Sequence, residues 1–239
     1  MNISITFDLE VDCPPFNDST RGITEGLPKI LAMLDKYDIR ATFFVVGNIA
    51  EKYPEIIKDL SQKHEVGSHG YHHESFNEMD KTKMGALNKS KKLLEKITET
   101  EVLGFRAPYL RVCNELYTVL DDLGFEYDAS MASFMKSHRE LNSHKLQKFK
   151  LGIPNVILRF PAGMKKFKNY CTSDPFPILF FHTWEILPMR EILPKSMKGY
   201  YFRPDNWYNT GDEFQRRFGV LLEFLHAGKF KFVMLRDML

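Results

Sequence analysis

The sequence lacks the features that mark several protein classes. Its 239 residues hold only three cysteines, Cys13, Cys113 and Cys171. Their number is odd and their spacing wide, which excludes a disulfide framework and a Cys-x-x-Cys metal knuckle. Neither sign of charge is in excess: 33 Lys and Arg against 31 Asp and Glu leave +2, so no nucleic-acid partner is expected. The longest apolar runs, 41–46 and 177–181, fall far short of a membrane span. No repeat, low-complexity tract or linker divides the chain, and one domain over 1–239 is expected. The first ten residues carry Asp8 and Glu10 and no basic segment ahead of an apolar stretch. No secretory signal is expected, and the location that follows is cytoplasmic.

The composition itself is that of a folded enzyme-sized domain. Hydrophobic residues make up 44% and charged residues 27%, which rules out intrinsic disorder. Aromatic residues reach 13%, with 20 Phe. That suits either a tightly packed core or a groove that stacks rings.

Strand-like and helix-like segments alternate along the chain. Residues 3–8, 41–47, 65–68, 103–106, 125–128, 155–160, 177–182 and 230–235 read as strands. Between them, 20–37, 54–63, 80–98, 114–123 and 210–226 carry helical spacing, with Asp80 placed to cap one helix and Gly124 to end another. Repeated strand–helix units imply parallel strands with helical crossovers. The predicted fold is α/β, a distorted (β/α) barrel of about seven parallel strands. Residues 183–209 lack periodicity and read as a long functional loop.

In such a barrel the chemistry sits where strands end at their C-termini. There the sequence places Asp8, Glu10 and Asp12, then His69 and His73, then Arg106, Asp128 and His182. His69 and His73 are four apart, so on a helical turn both imidazoles reach one metal; a His-rich surface turn is the other reading. In an extended segment Asp8, Glu10 and Asp12 point the same way. Three such carboxylates repel unless a cation lies between them, or unless the segment is a solvated acidic loop. Two His and one acid leave open positions for water, and a second acid could act as general base.

Taken together these motifs resemble the polysaccharide deacetylases of carbohydrate esterase family 4, the NodB-homology domain. Thr6, Phe7 and Asp8 with the following acids resemble the first family motif, and His69 to His73 the second. Arg106, Ala107, Pro108 and Tyr109 resemble the third. Tyr127, Asp128, Ala129 and Ser130 are similar to a looser fourth, and 179–182, an apolar strand ending in His182, resembles the fifth. The resemblance implies a hydrolase acting on a non-peptide carbon–nitrogen bond. It would release acetate from an N-acetylated amino sugar, in a glycan or in a lipid- or nucleotide-linked precursor. It implies Asp8 as general base, His182 as general acid, Arg106 as the cation that holds Asp8, and the Tyr109 amide as an oxyanion donor. Asp128 would support the site through a hydrogen bond. One divalent metal is implied, zinc ahead of cobalt, nickel or manganese, held by His69, His73 and an acid. The commoner motif has two adjacent aspartates; here Asp-x-Glu-x-Asp resembles an intracellular branch, and both Glu10 and Asp12 stand as acid ligands, with Glu10 favoured. Closed oligomers occur in that branch. A cyclic amide or imide hydrolase and a non-catalytic glycan-binding barrel are the alternatives.

Other features admit plainer readings. Trp184, two residues after His182, is either a sugar-stacking wall or ordinary packing. Residues 136–168 carry nine Lys and Arg, including Lys136, Arg139, Lys148 and Arg159, against Glu140 alone. Such a run is a solvated face or a landing site for an anion, including the anionic inner membrane leaflet.

Overall fold

A computed structural model describes residues 1–135, 145–193 and 202–239. Strand β1 (Asn2–Leu9) sorts its residues to two sides. Ile3, Ile5, Phe7 and Leu9 join the core shared with the helices, while Ser4, Thr6 and Asp8 alternate with them and are equally buried. A strand covered on both faces belongs to a parallel sheet wrapped by helices. β2 (Thr42–Val45), β3 (Glu65–Ser68), β4 (Gly104–Phe105), β5 (Tyr127–Ala132), β6 (Gln147–Leu151) and β7 (Ile178–His182) complete it. All pairings are parallel, in the order β6-β5-β4-β3-β2-β1-β7, with β8 (Lys231–Phe232) pairing the start of β1. This is the distorted barrel that the alternation predicts.

Helices α1 (Leu27–Asp35), α2 (Gly47–Lys52), α3 (Pro54–Ser61), α4 (Lys81–Thr98), α5 (Asn114–Asp122), α6 (Gly163–Ser173), α7 (Met189–Ile192) and α8 (Asp212–Ala227) follow in order. Asp80 does cap α4, accepting from the Lys83 amide at 2.7 Å. Inside the barrel a second cluster forms around Phe44, Tyr127, Phe149 and Phe180. Gly104 is what lets Tyr127 lie there: a Cβ at 104 would sit 2.1 Å from the tyrosine ring. Beneath, Glu65 accepts from Thr42 Oγ1 and the Tyr127 hydroxyl, and from the Arg236 amide. The C-terminal turn Leu235–Met238 thereby plugs the lower mouth.

The expected strand at 155–160 is a 3₁₀ turn, Asn155–Arg159. A short apolar run cannot be told from a helical turn by periodicity alone. The strand of that region is β6, whose buried Phe149 and Leu151 alternate with Lys148 and Lys150. Helices α2 and α6 also lie outside the predicted set. The segment read as a long loop holds a 3₁₀ turn at Thr183–Ile186, helix α7 and another turn at Pro204–Asn206; 194–201 lie outside the described residues. Of the basic run, Lys136 and Arg139 fall outside the described residues too. Arg159 is not on a solvated face: it is fully buried.

The ends of the sheet, β6 and β7, meet without ladder bonds among the described residues. Tyr170 of α6 fills the seam. Its hydroxyl accepts from the amides of Gly152 and Ile178, each at 3.2 Å. Tyr170→Phe should strand both amides and lower stability by about 1–2 kcal/mol, read as a lower urea midpoint with an unchanged slope.

Candidate active site and metal centre

The parallel register brings the polar strand ends together. Asp8 lies beside His182 across β1 and β7, and Ser68 beside Phe105 across β3 and β4. His69 and Arg106, the next residues in each chain direction, therefore emerge over the same opening. A cavity of about 290 Å³ lies above, with Asp8, Glu10, His69, His73, Tyr109 and His182 in its wall.

Arg106 is the hub of this arrangement and is fully buried. Its Nη1 donates to Asp8 Oδ1 at 2.8 Å, its Nε donates to the Ala129 carbonyl at 3.1 Å, and its guanidinium lies 4.2 Å over the Phe44 ring. Its own carbonyl is 2.7 Å from His69 Nδ1. That partner can only accept, so it places the proton on Nδ1 and leaves the Nε2 lone pair free. Asp8 Oδ2 faces two imidazoles, 3.9 Å from Nε2 of His69 and of His182.

Glu10 stands at the centre. Its Oε2 is 3.5 Å from His69 Nε2 and 2.6 Å from His73 Nε2. Its Oε1 accepts from Trp184 Nε1 at 3.1 Å. Burial pushes the Glu10 carboxyl up, but the His182 and His73 imidazoles outweigh it and hold the group well below the usual range. Ligand atoms of Glu10, His69 and His73 all lie within 4.8 Å of one another. His73 Nδ1 is buried without a hydrogen bond, and His73 Nε2 is in close contact with Glu10 Oε2. Two buried imidazole nitrogens converging on one carboxylate fit a divalent cation: the donor set could hold a metal ion.

Asp12 departs from the position that alternation predicts. β1 ends at Leu9 and the backbone turns through Cys13 at φ 57°, so the two-residue period no longer applies. The Asp12 carboxylate accepts instead from Ser19 Oγ (2.7 Å) and from the amides of Arg21 (3.0 Å) and Gly22 (2.7 Å), away from the imidazoles.

His182 is braced from behind. The turn Thr183–Ile186 carries Glu185 back so that its Oε1 accepts from the His182 amide at 3.0 Å and lies 3.2 Å from His182 Nδ1. Asn155 Nδ2 donates to the same oxygen at 2.7 Å. Glu185 Oε2 is 2.9 Å from Arg159 Nε, a fully buried pair. Trp184 is no open sugar platform; buried, it stacks on His182 with centroids 4.9 Å apart. Glu185, Asn155 and Arg159 escape sequence reasoning. Only the three-residue spacing of His182 and Glu185, which a tight turn converts into contact, could have signalled one of them.

Tyr109 adopts φ 57° at the third motif, and its ring packs 4.6 Å from His73. That strained turn is pinned by β5. The Ala107 amide donates to Ser130 Oγ at 2.7 Å, and Ser130 Oγ in turn donates to Asp128 Oδ1. Asp128 is fully buried, which raises its pKa against the hydrogen bonds of Ser130 and Tyr117. Thus Asp128 supports the third motif through Ser130, and Arg106 through the neighbouring Ala129 carbonyl.

Burial lowers the His182 pKa, but Glu10, Glu185 and Asp8 together raise it to about 9. Its proton is therefore held in the folded state at pH values where an unfolded histidine has lost it. This contribution to stability is complete below about 6.5 and is lost as pH rises through about 9. In chelator-treated protein, NMR titration should find the His182 ring protonated near pH 8. Glu185→Gln should bring its midpoint down toward the ordinary value.

Comparison with known proteins agrees with this geometry. The family model described as polysaccharide deacetylase matches residues 2–127. A peptidoglycan deacetylase from Helicobacter pylori is 34% identical over 120 residues, 48% of this chain and 41% of that protein. The match thus spans about two fifths of the relative's length. Among solved structures, a CE4 family pseudoenzyme from Bacillus anthracis superposes with a TM-score of 0.65 at 15% identity, covering 99% of this chain and 64% of that one. A family 4 acetyl xylan esterase from Clostridium thermocellum, in complex with a cobalt ion, gives 0.59 at 18% identity, covering 99% and 89%. Both show the shared fold. On the family match and the strand order, the chain belongs to the polysaccharide deacetylase family.

Proposed function

We propose that this protein hydrolyses the N-acetyl group of an amino sugar within a glycan, with one divalent cation held by Glu10, His69 and His73. The observation that carries this reading is the convergence of that donor set with Asp8 and His182 around one cavity. The name of the Helicobacter relative makes peptidoglycan the first substrate to try. Zinc is the first candidate metal, given two imidazoles and one carboxylate, ahead of cobalt, nickel or manganese. Asp12 has no part in the set.

When bound there, the cation would polarise the acetamide carbonyl and acidify a water. The remaining work falls to the protein's own groups. Arg106 engages Asp8 Oδ1 and leaves Oδ2 facing the cavity, so Asp8 takes the proton of the attacking water. The Tyr109 amide, held in its left-handed conformation, is offered to the charge that develops on the carbonyl oxygen. His182, with Nδ1 tied to Glu185, gives its Nε2 proton to the amine as the C–N bond breaks. Water oxygen ends on acetate, and the sugar leaves as the amine.

Purified protein should contain about one divalent metal per chain by elemental analysis, lost in His69→Ala. Acetate release from N-acetylated glycan fragments should stop on chelation and return with metal. Asp8→Asn and His182→Ala should each lower kcat by about 10²–10⁴-fold with metal still bound. Full activity in either variant would overturn the assignment of acid and base.

A further inference from the structure

Two residues that the sequence singles out remain without a function: Asp12, which stands apart from the imidazoles, and Trp184, which offers no open face to a sugar. Both bear on Glu10. Glu10 lies one position beyond β1, which ends at Leu9, so no strand pairing fixes it. Its carboxylate can turn about several side-chain torsions, and a ligand oxygen needs a fixed position. The indole supplies the restraint. Trp184 is buried, and its Nε1 donates to Glu10 Oε1 at 3.1 Å. Oε2 is left to the other imidazoles, 2.6 Å from His73 Nε2 and 3.5 Å from His69 Nε2. The flat of the same indole lies on His182, with ring planes 20° apart. His182 Nε2 is 3.6 Å from Oε1, so it shares the indole's side of the carboxylate.

Trp184 is itself held by the segment that follows Asp12. The turn Gly22–Gly26 packs backbone against backbone on Thr183–Ile186. A Cβ at Gly22 would stand 3.0 Å from the Trp184 amide nitrogen, and one at Gly26 would stand 2.3 Å from the Thr183 carbonyl oxygen. Asp12 fixes the start of that turn by accepting from the amides of Arg21 and Gly22. The acid outside the donor set thus braces the turn that seats the indole.

We propose that Trp184 is a positioning residue for the metal ligand Glu10. Its N–H occupies Oε1 and presents Oε2 alone to the imidazoles of His69 and His73. The donor set then offers a cation two nitrogens and one oxygen. A carboxylate free to offer both oxygens would close a position that water or the acetamide needs. This rests on the reading above that Glu10, His69 and His73 hold the cation.

The test removes the N–H and keeps a ring in its place. One variant is Trp184→Phe; the other carries benzothienylalanine at 184, with sulfur where the indole has its N–H. Both should weaken Zn(II) binding to chelator-treated protein by about 10–100-fold, measured by competition with a chromophoric chelator. Trp207→Phe, the same change at the other tryptophan, should leave that Kd unchanged. Wild-type affinity in both 184 variants would mean that the ring only packs, and would overturn the inference. A second measurement needs neither metal nor a variant at 184. In metal-free protein labelled with ¹⁵N, the Trp184 indole N–H signal should move upfield in Glu10→Gln while the Trp207 signal stays. An unmoved Trp184 signal would also overturn the inference. If wild type takes up no metal but that signal moves, the cation reading fails and the hold of Trp184 on Glu10 stands.

Discussion

Two carboxylates buried one residue apart are the constraint around which this molecule is organised. Asp8 and Glu10 are each 3% exposed. Removing a carboxylate from water costs several kcal/mol, so each needs compensating partners. Compensation comes from strands on both sides of β1: Arg106 after β4, His69 and His73 after β3, His182 at the end of β7 and the indole N–H of Trp184 beyond it. The dependence is mutual. Arg106, also fully buried, has its charge met by Asp8, and its carbonyl and Nε then fix His69 and β5. Chemistry and architecture thus share one set of contacts.

Behind this first ring lies another buried ion pair, Arg159 with Glu185. It divides its effect between a chemical group and a wall. Through Glu185 it orients the imidazole of His182. Through the carbonyls of Asp205 and Tyr208 it fixes the turn whose Asp205 and Asn206 line the cavity. The imidazole and this wall of the cavity are consequently registered to each other by one guanidinium, whose planar fork suits several acceptors at once.

Much of this was legible in the sequence because parallel strands place their C-terminal residues on one rim. Asp8, His69, Arg106 and His182 follow from strand ends alone, and the barrel follows from the alternation of elements. What was not legible depends on where an element stops. The two-residue period that groups Asp8 with Glu10 fails at Asp12, because the chain has left β1 and turned. Arg159 looked like part of a basic surface, since nothing in composition distinguishes a solvated arginine from one buried against Glu185. The run at 155–160 has strand-forming residues but lies in a 3₁₀ turn set by tertiary packing.

The plug at the lower mouth bears on the order in which the molecule is assembled. β1, the first strand, lies between β2 and β7 and also receives β8, so two of its three partners are made in the last third of the chain. Thr42 Oγ1 and the Glu65 carboxylate accept from the amides of Leu235 and Arg236. Until the ribosome has delivered that turn, the first half of the sheet leaves Glu65 without that partner and the ladder open at β1. Closure of the barrel is therefore a late, long-range event in synthesis, of the kind that proceeds slowly. The active-site rim, which needs Asp8 and His182 side by side, cannot exist before β7 arrives.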